Sequence, residues 1–398
     1  MNGPAVTGPF ALGSSLAERE QAGLLRNRIA TDGASGGRLR VAGREYLNFS
    51  ANDYLGLADH GAIKAAFNTG IERYGAGAGA SPLVTGYSRA HQELEETLAE
   101  WLGVEAVLLF NCGFSANQAV LKALLGKEHL LWQDKLNHAS LQEMGSQLPC
   151  KMKRFAHNDM AALERQLEPN RGLIVSEGVF SMDGDQAPWG ELAALAARSG
   201  NWLMIDDAHG LGVLGPEGRG TLAAQGVNPA SVHIQMGTFG KALGVAGAFV
   251  GGSRELVDYL VNFARHYVYS THMPAAQACA VSKSIELVRA ADEARAHLGQ
   301  LITCFRQGAQ GQGWQLGASA TPIQPLLVGE SSAALQLAEQ LRDRGVWVSA
   351  IRPPTVPVGT ARLRITLSAA HREQDVDRLL DALGASHAAT TVGEARHG

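Results

Sequence analysis

The chain has 398 residues, 45% hydrophobic and 18% charged, with 47 glycines spread through it without a period; this fits a globular α/β protein of two or three lobes and excludes a disordered chain, a collagen and a coiled coil. A net charge of −4 without a long basic run leaves no footprint for a nucleic-acid backbone. No apolar run is long enough to span a bilayer, and Cys112, Cys150, Cys279 and Cys304 stand too far apart for a zinc site or a disulfide framework.

The opening stretch MNGPAVTGPFALGSS has no basic segment ahead of an apolar one, so no export signal is expected and the protein is expected to be cytoplasmic, its thiols reduced. Ser15 followed by Glu18 has the form of a capping box and predicts a helix over LAEREQAGLLRNRIA, broken by DGASGG. From Tyr46 onward, short apolar runs alternate with helical patterns: AVLLF at 106–110, LIVS at 173–176, WLMI at 202–205, IQM at 234–236 and AGAFV at 246–250. That alternation predicts a mostly parallel sheet covered by helices on both faces. After residue 285 come amphipathic helices, TPIQPLLVG, a Pro-rich strand region and a last helix, EQDVDRLLDAL, which together read as a smaller α+β domain. The expected division is an N-terminal arm over 1–45, a large domain over 46–285 and a small C-terminal domain over 286–398.

Several residues carry chemistry in this frame. Lys241 stands in MGTFGKALGVAGAFV, a Gly-rich and otherwise apolar stretch between two strand-like segments. Desolvation lowers an amine's pKa and makes it a nucleophile toward aldehydes, although taken alone such a lysine is far more often a solvated loop residue. WLMI ends in Asp206, followed by Asp207 and His209. Ligands of open α/β sheets lie at the carboxyl ends of strands, so Asp206 is placed to hold a pyridine nitrogen protonated and His209 to reach a ring hydroxyl. A helix N-cap or a metal ligand is the competing reading of the acidic pair. In NCGFSANQAV a strand gives way to a helix near Ser115, and the free N–H groups there make Gly113 and Phe114 candidates for a phosphate, with Thr238 adding a hydroxyl. His138, in KLNHAS, has no partner at metal-ligand spacing and is placed to stack on an aromatic ring; Arg352, beside two prolines, suits a substrate carboxylate. GAGAGA at 75–80 has the glycine spacing of a dinucleotide fingerprint but follows a helical stretch, so it reads as a flexible loop near the site.

Taken together in chain order, FSANDYLGL, NCGFSANQAV, LNHAS, SEGVFSMDGD, DDAHG, TFGKALG, FARHYVYST and IRPPTVPVGTARLRITLSAAH resemble the α-oxoamine synthases over about residues 15–385. The resemblance implies fold type I of the pyridoxal 5'-phosphate enzymes, the aspartate-aminotransferase fold, with a mostly parallel seven-stranded sheet in the large domain. It implies a homodimer with its site at the subunit interface. The implied reaction is condensation of L-alanine with pimeloyl-CoA or a pimeloyl-acyl carrier protein, losing carbon dioxide and the free thiol, in biotin biosynthesis. By position, Lys241 corresponds to the lysine that bonds the cofactor, Asp206 to the ring-nitrogen partner, His209 and Ser181 to partners of the ring oxygen, and His138 to the stacking residue. Gly113, Phe114 and Thr238 correspond to cofactor and phosphate contacts, with Ser270 and Thr271 from the partner subunit. Arg352 and Asn52 correspond to substrate-carboxylate contacts, Thr355 to a further substrate contact and Arg26 to a residue meeting the acyl group; no metal is implied. Ala78, Ala80, Pro82 and Leu83 in the glycine loop, and His272, depart from the usual pattern and bear on the acyl pocket. Two sister chemistries share the same cofactor residues, a glycine-dependent synthase using a short acyl thioester and an aminotransferase. An inactive binding homologue would lack Lys241.

Overall fold

The computed structural model describes residue 10 and residues 12–394, so most of the stretch read for an export signal lies outside the described residues. The first helix, α1 (Leu12–Gln21), buries none of its residues. It begins three residues before Ser15 and stops well short of Ile29, which corrects the capping-box reading. Gly23, at φ +65°, turns the chain out of the helix where a Cβ would be strained.

Strands β1 (Gly33–Ser35), β2 (Arg38–Val41) and β3 (Arg44–Asn48) form an antiparallel ribbon. Helices α2 (Gly61–Tyr74) and α3 (Arg89–Leu102) follow. A seven-stranded sheet is then built from β4 (Ala106–Phe110), β5 (Leu130–Asp134), β6 (Lys151–Phe155), β7 (Gly172–Glu177), β8 (Trp202–Asp206), β9 (Ile234–Thr238) and β10 (Ala248–Gly252), in the order β4-β10-β9-β8-β7-β5-β6. Only β10 runs against its neighbours; β5, β6, β7, β8 and β9 pair in parallel.

The apolar runs expected as strands are all strands, because a parallel strand covered on both faces must be apolar throughout. Alternate side chains enter opposite layers: Met204 packs with Leu131 and Val175 on one face, while Leu203 and Ile205 pack with Trp132 and Trp189 on the other. The strand expected at 246–250 starts two residues later, since Gly247 adopts φ +101°. β6 escaped the apolar pattern; at the sheet edge, most of KMKRF stays out of the core.

Helices α4 (Gly113–Leu124) and α5 (Ala139–Gln147) connect strands of this sheet. In the C-terminal third, β11 (Ile323–Gly329), β13 (Ser349–Ile351) and β14 (Ala361–Thr366) make a second, antiparallel sheet. β12 (Val346–Trp347) instead pairs in parallel with β3, tying the N-terminal ribbon to this end of the molecule. No described helix is long and apolar enough to cross a membrane.

Candidate active site

Parallel strands direct their carboxyl ends to one edge of the sheet, and here β7, β8 and β9 end in Glu177, Asp206 and Thr238. Between them and the N-terminus of α4 lies a cavity of about 170 Å³ lined by Gly113, Phe114, Asn117, His138, Ser140, Glu177, Asp206, Ala208, His209, Met236, Thr238 and Lys241.

Lys241 sits in the turn between β9 and β10, where its carbonyl accepts from Gly244 N at 2.9 Å. Its Nζ is 2.7 Å from His209 Nε2, and His209 Nδ1 is 2.7 Å from the Tyr54 hydroxyl, which donates to Asn52 Oδ1 at 3.3 Å. Burial drives the imidazole well below its ordinary pKa, and the ammonium of Lys241 adds to the effect. The ring is therefore neutral: Nε2 accepts from Lys241 and Nδ1–H donates to Tyr54. Burial also brings the Lys241 amine down to about 8, against the opposing pull of Asp206.

Asp206 is 5% exposed. Its Oδ2 accepts from Asn117 Nδ2 at 2.7 Å and its Oδ1 from the Ala208 N–H at 3.1 Å. Asn117 also donates to Ser140 Oγ at 2.9 Å, and Ser140 Oγ stands 2.8 Å from His138 Nδ1, which accepts from the Ser140 N–H as well. His138 is thereby locked with its proton on Nε2, its ring edge-on to Phe114 with centroids 6.5 Å apart. Burial lowers its pKa, against the raising charge of Asp206 and with that of Lys241.

The acidic pair divides in two. Asp207 turns away from the cavity and grips Thr221 through its N–H at 2.7 Å and its hydroxyl at 2.6 Å. Gly178, Gly210 and Gly220 make room for it: a Cβ on any of them would come within 2.0–2.2 Å of an Asp207 oxygen or the Thr221 hydroxyl. Asp207 anchors the chain at Thr221, whereas Asp206 faces the cavity.

α4 begins at Gly113 rather than near Ser115, so Gly113 and Phe114 are its first two residues and their N–H groups point out of the helix end. A Cβ on Gly113 would reach to 3.5 Å from Met236 and 4.0 Å from Thr238, into the gap between helix end and strand end. The Thr238 hydroxyl donates to Gly247 O at 2.8 Å and accepts from the Gly240 N–H at 3.3 Å, so its proton has to turn from Gly247 to meet a phosphate. Ser181 is buried beside the cavity, its carbonyl accepting from Arg364 Nε at 2.6 Å. Ser270 and Thr271 do not line this cavity; Thr271 is exposed, its carbonyl accepting from Asn111 at 2.8 Å.

The residues expected to meet substrate separate into two groups. Arg26, Arg352 and Thr355 line a second cavity of about 290 Å³, where Arg26 donates to the Thr355 hydroxyl and Arg352 to Leu25 O, both at 3.4 Å. Asn52 is bound elsewhere: its Oδ1 accepts from Arg364 Nη1 at 3.1 Å as well as from Tyr54. Arg364, on β14, reaches inward to bond both Ser181 O and Asn52. Arg364, Tyr54, Asn117 and Glu177 were not singled out in the sequence. Buried polar residues inside otherwise apolar elements were the signal available for Asn117 and Glu177.

The pattern that defines the aminotransferase class I and II family matches residues 44–383. An 8-amino-7-oxononanoate synthase from Aeromonas hydrophila subsp. hydrophila is 90% identical over 384 residues, 96% of each chain. The chain belongs to the class I and II aminotransferases, and within them to the 8-amino-7-oxononanoate synthases. Among solved structures of this fold, a serine palmitoyltransferase with PLP superposes with a TM-score of 0.90 at 27% identity, over 96% of this chain and 98% of that one. An 8-amino-7-oxononanoate synthase from Francisella tularensis superposes at 0.77 and 26%, over 87% and 99%. Backbone shape alone would favour the palmitoyltransferase, but shape is shared across the fold and 90% identity is not, so identity decides the branch.

Proposed function

We propose that the protein condenses L-alanine with a pimeloyl thioester to 8-amino-7-oxononanoate, with pyridoxal phosphate bonded to Lys241. The observation that carries this reading is the meeting of a desolvated lysine, a hydrogen-bonded carboxylate and a fixed imidazole in one cavity at the strand ends. The cavity suits the cofactor on its own evidence: a helix start with free N–H groups facing Thr238 for the phosphate, and a buried carboxylate, Asp206, for the ring nitrogen.

Bound there, pyridoxal phosphate supplies an aldehyde for the amine and a protonated pyridine ring that draws electrons from the substrate's Cα. The protein's residues do the rest. His138 covers one face of the cavity, and Asp206, held by Asn117 and Ala208, keeps the ring nitrogen protonated. His209 and Ser181 meet the ring hydroxyl. Asn52 and Arg364 take the alanine carboxylate, while Arg26, Arg352 and Thr355 meet the acyl substrate in the second cavity. The amine of Lys241 takes the Cα proton of alanine. The Cα electron pair then forms a bond to the acyl carbonyl carbon as the carbon–sulfur bond breaks, and the departing thiolate takes a proton from solvent water. Loss of carbon dioxide returns an electron pair to Cα, and Lys241 gives the proton back.

Ser270 and Thr271 lie outside their own chain's cavity, and Leu83, Val84, Phe114 and Tyr269 expose large apolar side chains. A homodimer in which the partner subunit's Ser270 and Thr271 complete the phosphate site accounts for both. Mass spectrometry of the product from alanine and pimeloyl-CoA tests the reaction. The expected product is 8-amino-7-oxononanoate, absent with Lys241→Ala. Equal turnover of glycine or serine with a short or long-chain acyl thioester would overturn the substrate assignment.

A further inference from the structure

Glu177 has no part in the scheme above, yet it ends β7 and lines the cavity. It is 2% exposed, and its Oε1 is buried without a hydrogen-bond partner. In the sheet register Glu177 lies directly beside Asp206 on β8, and laterally paired residues on neighbouring parallel strands point to the same side. Two carboxyl groups therefore share one floor.

Their surroundings differ. Asp206 has two donors, Asn117 Nδ2 and the Ala208 N–H, whereas Glu177 has an orphan oxygen. The groups that act on Glu177 are Asp206 from β8, Lys241 from the turn after β9, the backbone N–H of His138 at the start of α5 and that of Ser181 in its own loop. One ammonium faces two acids. Arg364, the nearby guanidinium, spends its hydrogen bonds on Ser181 O and Asn52. Two buried carboxyl groups side by side on neighbouring strands resist ionising together, and the one with more hydrogen-bond donors keeps the charge.

We propose that Glu177 is a positioning residue: it stays a neutral acid beside Asp206, the two carboxyl groups holding one proton between them that resides on Glu177, so that the single negative charge of the cavity floor is the one on Asp206. Burial, followed by the charge of Asp206, pushes Glu177 well above the usual carboxylate range, in the same direction. An orphaned oxygen follows from this arrangement, since a neutral acid leaves one of its oxygens a weak acceptor that tolerates burial better than a carboxylate oxygen does. The consequence is electrostatic. A second anion on the floor would hold Lys241 protonated to higher pH, whereas a neutral Glu177 leaves the amine free to work near neutrality.

This inference deepens the assignment of the cavity as a pyridoxal phosphate site, and it is tested first without cofactor. The full-length apo-protein carries 13C-carboxyl-labelled glutamate, and its side-chain resonances are followed with pH by NMR. A glutamate signal at the protonated position at pH 7 is expected, lost in Glu177→Gln. Glu95, buried near Tyr87 and pushed by that burial to about 7, is the other glutamate that interferes. A Glu95→Gln protein removes it, so the remaining protonated signal identifies Glu177 even should the Glu177→Gln chain not fold. Complete ionisation of every glutamate at pH 7 in the Glu95→Gln protein overturns the proposal. In the cofactor-loaded protein, Glu177→Gln, which replaces one neutral group by another, is expected to leave the pH midpoint of the visible cofactor band in place. A downward shift of about one unit or more, as removal of an adjacent anion produces, overturns it. Failure to bind cofactor at all contradicts the cavity assignment, while the NMR result on apo-protein still decides the protonation of Glu177.

Discussion

Lys241 owes its reactivity to its surroundings. Its amine is lowered to about 8 by burial, ahead of the raising effect of Asp206, so the neutral fraction grows about tenfold per pH unit up to that point and saturates above it. The rate at which apo-protein takes up pyridoxal phosphate, followed by absorbance, is expected to rise and level off near pH 8; a rate still climbing at pH 10 contradicts the desolvated amine. Asn117 acts one step away. Asn117→Ala strips Asp206 of a 2.7 Å donor and is expected to cost about 1.5–3 kcal/mol as a lost charge-assisted bond, measured as a weaker cofactor dissociation constant in equilibrium titration. Unchanged affinity would show that Asp206 does not need this donor. Lys241, Asp206 and His209 were legible because each lies in a short motif whose neighbours explain it. Tyr54, Asn117 and Arg364 were not, because their partners lie 155, 89 and 312 residues away, a separation that no local pattern encodes.

At the scale of elements, the end of β5 is held by a histidine. His157 bridges Asp134 at 3.0 Å and Asp185 at 2.7 Å, joining that strand to the 181–185 loop, which in turn meets β14 through Arg362 with Asp183 and Arg364 with Ser181. Burial opposes the charge on His157, but the two aspartates outweigh it and raise the ring to about 10. The folded pKa exceeds the unfolded value near 6.5, so the stabilisation is complete below about pH 6.5 and is lost as pH rises through about 10. Urea titrations of the native chain and of His157→Gln are expected to differ most at pH 6 and to converge above pH 10; a constant gap would contradict the latch. Helix α2 lies against the helix Ala275–Arg289 so closely that a Cβ on Gly70 would fall 2.6 Å from Ala276 Cα. Gly70→Ala is expected to destabilise by about 1–3 kcal/mol, read as a lower urea midpoint, and an unchanged midpoint would mean the helices move apart freely. Legibility here followed burial: buried strands such as AVLLF announced themselves by being apolar throughout, while the edge strand β6 and the unpacked helix α1 had no core face to impose a pattern.

For the molecule as a whole, the seven-stranded sheet and the order of its strands place one lysine and two acids at a single edge; the mostly parallel sheet was readable from the alternation of apolar runs with helical segments, whereas the strand order and the second acid, Glu177, were not. Substrate choice was not readable from the fold, since serine palmitoyltransferase and 8-amino-7-oxononanoate synthase share it; the proposed acyl contacts lie in the second cavity, assembled from Arg26 and the distant Arg352 and Thr355. The proposed homodimer predicts a light-scattering mass twice that of the chain, and a monomeric mass in the active preparation would contradict shared sites. The most direct test of the central claim is borohydride reduction of the protein loaded with pyridoxal phosphate, followed by peptide mass spectrometry. The account predicts one reduced phosphopyridoxyl group per chain, on Lys241; a label on any other lysine, or none, would contradict it.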